Sequence, residues 1–133
     1  MRRAGRGVAL SIAALYFAYF FSFFHRTITG VLQGEMGEIA ERWGGDPTAF
    51  GVAASSAYFY TYAALQIPAG TLADALGARK YAAASTALIA LGSALIALAA
   101  PLPVIVGRLV VGVGAGAVWV SMQRVIGVRV GKA

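Results

Sequence analysis

Long uncharged runs alternate with short charged clusters along this chain. The first run extends from Gly7 to Phe24, meets His25 and Arg26, and resumes as a second uncharged stretch from Thr27 to Gly34. The second run lies between Asp46 and Asp74, and the third between Lys80 and Pro101. The fourth starts at Pro103 and ends near Arg124, with Arg108 inside it. A helix needs about 20 apolar residues to cross the hydrocarbon core, and lipid obliges each segment to satisfy its own backbone groups. The pattern therefore predicts an all-α integral membrane protein. Its four transmembrane helices fall at about residues 7–32, 47–72, 80–100 and 103–124.

The boundaries carry matching signals. Asp46-Pro47 reads as an N-cap followed by proline at the first helical position. Pro103 can do the same for the fourth helix, Gly77 can break the chain between the second and third, and Pro68 can kink the second. The basic residues sit in three places: Arg2, Arg3 and Arg6; Arg79 and Lys80; Arg124, Arg129 and Lys132. Between the first two helices, Arg42 is offset by Glu35, Glu38, Glu41 and Asp46. The positive-inside rule then places both termini in the cytoplasm of a multi-pass inner (plasma) membrane protein. The first run is long and aromatic and leads into His25-Arg26, so it reads as a helix and not as a cleaved signal.

Composition strengthens the membrane reading. Of the 133 residues, 59% are hydrophobic and 12% are charged. Soluble domains carry about 25% charged residues, so a soluble globule is excluded. The net charge of +6 would suggest nucleic acid in a soluble protein; here topology explains it, and no nucleic-acid partner is expected. Cysteine is absent and His25 is the single histidine. That excludes disulfides, thiolate sites and histidine metal clusters, and no cofactor is expected. No acidic pair or activated nucleophile is visible, so an enzyme is not expected.

Ionisable groups at membrane depth usually face a protein interior or an aqueous cavity. Arg26 has two readings: an interfacial anchor that snorkels to the headgroups, or a cavity residue on a helix that continues to Leu32. Tyr19, Ser22 and Arg26 share one helical side. Arg108 likewise either snorkels outward or is buried. Gly112-x-x-x-Gly116 permits close helix contact. In the second helix, Ser55, Tyr58, Tyr62 and Gln66 form a polar stripe that can line a cavity or bond neighbouring helices. The third helix has Ser85, Thr86 and Ser93 and reads as a supporting helix.

The segment Gly70-Thr71-Leu72-Ala73-Asp74-Ala75-Leu76-Gly77-Ala78-Arg79-Lys80 fits G-x-L-x-D-x-x-G-x-[RK]-[RK], a match expected by chance on the order of once in a million starting positions. It resembles the signature loop after the second helix of major facilitator superfamily transporters. Ala75 departs from that pattern, where many members carry arginine. Arg108-x-x-x-Gly112-x-Gly114-x-Gly116 resembles the superfamily's fourth-helix motif. Tyr58 to Gly70 looks like the second helix of a nitrate/nitrite or sugar-acid transporter-like branch.

The resemblance runs from Tyr16 to about Val130 and implies the first part of a twelve-helix fold built from two six-helix halves. Residues 1–133 would be a partial N-terminal domain. The implied function is secondary active transport of a small, possibly anionic solute by alternating access, with a coupling ion. Solute-binding candidates are Arg26, His25, Tyr19, Tyr58, Tyr62, Gln66 and Arg108. The loop Gly70, Leu72, Asp74, Gly77, Arg79 and Lys80 would gate the conformational change, with Asp74 facing basic residues and a helix N-terminus of the other half. Gly112, Gly114 and Gly116 would pack helices. The expected partners are the lipid bilayer, the solute and the missing C-terminal helices, so the four helices alone should not transport. The alternative is a standalone four-helix membrane protein that assembles with partner membrane proteins.

Overall fold

The computed structural model describes residues 2–130, and every element among them is a helix: α1 (Arg2–Val31), α2 (Gln33–Arg42), α3 (Pro47–Leu76), α4 (Ala78–Ile96) and α5 (Pro101–Val130). The four long helices cover the four apolar runs. Their hydroxyls turn back onto carbonyls one turn earlier: Ser85 onto Tyr81 at 2.6 Å, Ser93 onto Ile89 at 2.7 Å, Thr61 onto Ala57 at 2.9 Å and Ser121 onto Ala117 at 2.9 Å. These four hydroxyls are thereby satisfied within the segment that carries them, as an apolar solvent demands.

The helix ends follow from local chemistry. Asp46 caps α3 by accepting from the Ala49 N–H at 2.6 Å, with Pro47 in the first turn. Pro68 lies inside α3, which continues past it to Leu76. Gly77, at φ +80°, divides α3 from α4. The fourth long helix starts at Pro101, two residues before the expected Pro103.

The sequence pattern had not indicated α2. Its ten residues are too short and too acidic to register as an apolar run. Met36 and Ala40 nevertheless share one face and bury against Phe50, Ala54 and Val104, while Glu35, Glu38 and Glu41 stay exposed. Arg42 pairs with Glu38 at 3.3 Å along the exposed face.

Helix α5 is the centre of the bundle and packs mainly on α4 and α3. Two glycine rows allow this. A methyl group on Gly107 or Gly114 would come within 2.6 Å of the α4 carbonyl oxygens of Gly92 and Ser85, respectively. On the opposite side, a methyl on Gly112 would meet the Tyr58 carbonyl of α3 at 2.5 Å, and one on Gly116 the Tyr62 carbonyl at 3.3 Å. Such backbone-to-backbone approach is the usual device of helices that associate in lipid, where apolar burial drives little.

Outside this interface, large apolar side chains point away from the bundle: Leu10 at 74% exposure, Phe17 at 65%, Tyr60 at 76% and Ile67 at 88%. In water these faces would be a severe liability; in hydrocarbon they are the ordinary surface. By length and apolar composition, Pro101–Arg124 of α5 is the one segment among the described residues long and apolar enough to cross a membrane.

Candidate functional site

Arg108 organises the centre of the bundle. It lies two turns into α5, is 1% exposed, and forms no ion pair among the described residues. Its Nε donates to the Ala54 carbonyl of α3 at 3.2 Å, and Nη1 donates to the His25 carbonyl of α1 at 2.6 Å. Its guanidinium lies 4.7 Å from the Tyr58 ring centroid. One arginine thus joins three helices through two carbonyls and an aromatic face. The rigid, forked guanidinium suits this role in a way a lysine ammonium does not. Nη2 is buried without a partner among the described residues.

Arg26 sits differently, although it follows His25 directly. It is exposed, with its guanidinium 5.7 Å from the Phe59 ring and 6.0 Å from the Tyr62 ring of α3. Tyr62 stacks on Tyr58 at 5.9 Å. Tyr19 meets Trp119 of α5 at 5.1 Å. Tyr19 and Tyr62 both pack on the buried cluster of Tyr58, Ile89, Val111, Ala115 and Val118. Gln66 is part-buried, and its Nε2, close to Gly116, has no partner among the described residues. These side chains leave a cation and aromatic edges over α1, α3 and α5.

The expected solute-binding residues therefore separate into two groups. Arg26, Tyr19, Tyr62 and Gln66 lie on or beside the Arg26 face. Arg108 and Tyr58 are interior, and their exposed surface is negligible. His25 points elsewhere: its Nε2 is 2.9 Å from Ser93 Oγ on α4. Ser93 had read as part of a supporting helix, and the only sequence signal for it was a hydroxyl among alanines and leucines.

At the other end of the bundle, Asp74 of α3 forms an ion pair with Arg124 of α5. The sequence pattern groups Arg124 with the basic tail, where it serves only topology. The pair supplies from a neighbouring helix the cation that Ala75 does not provide. Leu72, Gly77, Arg79 and Lys80 are exposed around it. Gly70 meets nothing within 4 Å that a methyl would touch, so its smallness serves no contact among these helices. Among the described residues no group of three His, Cys, Asp or Glu side chains could hold a metal ion.

Helices joined by glycine rows, with apolar outer faces and a buried arginine held by backbone carbonyls, fit a helical protein packed in lipid. The Major Facilitator Superfamily model matches residues 15–133, and the chain belongs to that superfamily. The members of that superfamily are membrane-embedded transport proteins and not enzymes. Comparison with curated proteins and with solved structures gave no match.

Proposed function

We propose that the chain forms the N-terminal part of a secondary carrier that moves a small anionic solute by alternating access, with Arg26 as the anion-binding group. The observation that carries this reading is the exposed Arg26 guanidinium held over Phe59 and Tyr62. An arginine at membrane depth is costly unless it meets an anion or water. The chain's five carboxylates are Glu35, Glu38, Glu41, Asp46 and Asp74, and all lie in α2 or near the ends of α3. None forms an ion pair with Arg26 among the described residues. A solute anion fills that gap, Tyr62 and Tyr19 frame it, and Gln66 offers an amide donor.

In this reading Asp74, Arg79 and Lys80 gate the cytoplasmic side, and the Arg124 pair ties the gate to α5. The three basic clusters support an inner-membrane protein with both termini cytoplasmic. A C-terminal fluorescent fusion should therefore fold and emit, and an alkaline phosphatase fusion at the same site should stay inactive.

Thermal unfolding of the purified chain in detergent tests the anion site. Nitrate, D-gluconate and inorganic phosphate serve as probes, with choline as the cation control. A ligand that binds only the folded state raises the unfolding temperature. At least one anion should do so, choline should not, and Arg26→Gln should remove the effect. No effect from any anion, or the same effect in Arg26→Gln, overturns the proposal.

A further inference from the structure

His25 is the only histidine in the chain, and the Arg26 face does not use it. Its ring lies between α1 and α4 at the edge of a groove of about 870 Å³ that Phe17, Phe21, Thr86 and Ser93 also line. Ser93 fixes the state of the ring. A serine hydroxyl has one hydrogen, and Ser93 donates it to the Ile89 carbonyl at 2.7 Å. Ser93 Oγ is then an acceptor for His25, so the contact at 2.9 Å requires the hydrogen on Nε2. The lone pair of the neutral imidazole is thereby left on Nδ1, which is buried and has no partner among the described residues. That is a base with its acceptor site vacant.

The same residue is part of the α1–α5 contact, because its carbonyl accepts from Arg108 Nη1 at 2.6 Å. We infer that His25 is a proton-binding site of the carrier, with the hydrogen ion bound at Nδ1, and that its charge loosens the Arg108 bridge between α1 and α5. The inference deepens the transport reading and rests on it for the purpose of the proton; proton binding itself needs no solute. The reaction is uptake of one proton from water by the Nδ1 lone pair, giving an imidazolium that keeps Nε2–H on Ser93. The imidazolium then stands beside a second cation, and like charges in a poorly solvated interior repel strongly.

The groups facing the ring from each neighbouring helix set this outcome. From α5 it is Arg108; from α4 it is the Ser93 hydroxyl; from α3 it is the Tyr58 ring, which acts through Arg108. On α1 itself Arg26 is adjacent in sequence. No carboxylate forms an ion pair with any of these groups among the described residues.

The test uses the whole chain in lipid nanodiscs with 15N-labelled histidine, whose single ring gives one set of signals. At neutral pH, Nε2 should carry the hydrogen and Nδ1 should be bare, and acidification should protonate Nδ1 in one step. Arg108→Gln should remove the pH response of the α1–α5 contact, because the bridge that the ring's charge would loosen has gone. Ser93→Ala should move the hydrogen of the neutral ring from Nε2 toward Nδ1, and it serves if Arg108→Gln does not fold.

Trp119, which touches Tyr19 of α1 at 5.1 Å, reports the helix contact once Trp43→Phe has removed the other tryptophan. Its emission should change with the midpoint seen for the ring, and His25→Gln should abolish that change. The inference is overturned if Nδ1 carries the hydrogen at neutral pH, if the ring does not titrate between pH 4 and 9, or if Trp119 responds to pH equally in His25→Gln. Any of these results leaves the anion test at Arg26 untouched, and a failed anion test leaves these readings untouched.

Discussion

Gly107→Ala probes the contact on which the bundle is built. The added carbon would stand 2.6 Å from the Gly92 carbonyl oxygen, 2.8 Å from Ile96 Cγ1 and 3.1 Å from the Ile96 nitrogen. The Ile96 side chain can swing aside, but the Gly92 carbonyl and the Ile96 nitrogen belong to the α4 backbone, so α4 and α5 must separate. Overpacking of this kind costs about 1–3 kcal/mol. Alanine also gains about 1 kcal/mol of helix propensity over glycine, which would mask part of the loss if Gly107→Ala were measured alone.

Gly51→Ala on α3 removes that ambiguity. A methyl there meets nothing within 4 Å, so this variant shows the propensity gain without the clash. The difference between the two variants isolates the close approach and should be about 1–3 kcal/mol, with Gly107→Ala the less stable. Reversible unfolding in mixed detergent micelles, followed by Trp119 fluorescence, gives both values. Equal stabilities, or a more stable Gly107→Ala, would refute the glycine-row packing of α5 on α4.

Three further outcomes are expected. Arg108→Lys keeps the buried charge but cannot hold both carbonyls, and should lower stability by about 1.5–3 kcal/mol in the same assay; wild-type stability would mean the fork contributes nothing. In a double-mutant cycle, Asp74→Asn and Arg124→Gln should show a coupling of at most about 1 kcal/mol, because both side chains are about half exposed, and additive effects would dissolve the pair. Asp46→Ala should cost about 1 kcal/mol through loss of the α3 cap, seen as a lower unfolding midpoint, and Asp46→Asn should recover most of it.

The long helices were legible because membrane-length apolar runs leave few alternatives, and the cap at Asp46 and the break at Gly77 were legible because each is a local choice of the backbone. Helix α2 was not, since ten residues with a single buried face look like an acidic loop until Phe50 and Val104 cover Met36 and Ala40. The glycine motif beginning at Arg108 pointed to close packing, but it did not reveal that its glycines divide between two partners. Gly112 and Gly116 approach α3, while Gly114 and the preceding Gly107 approach α4.

At the site, residue type alone could not distinguish Arg26 from Arg108. Both are arginines in apolar helices without acidic neighbours in sequence. One is satisfied by backbone carbonyls, which no search for side-chain partners anticipates, and the other is left over aromatic rings. The His25–Ser93 contact spans 68 positions and the Asp74–Arg124 pair spans two separate helices. Neither has any local pattern that would connect its members.

The chain has no cysteine, so a single introduced thiol can test directly whether the Arg26 face attracts anions. In Tyr62→Cys, the reaction rates of a negatively charged sulfonate-bearing thiosulfonate and a positively charged trimethylammonium one should be compared in lipid vesicles. The anionic reagent should react faster, and adding Arg26→Gln should reverse or abolish that preference. Reaction with neither reagent, or an unchanged preference in Arg26→Gln, would contradict an aqueous anion site built on Arg26.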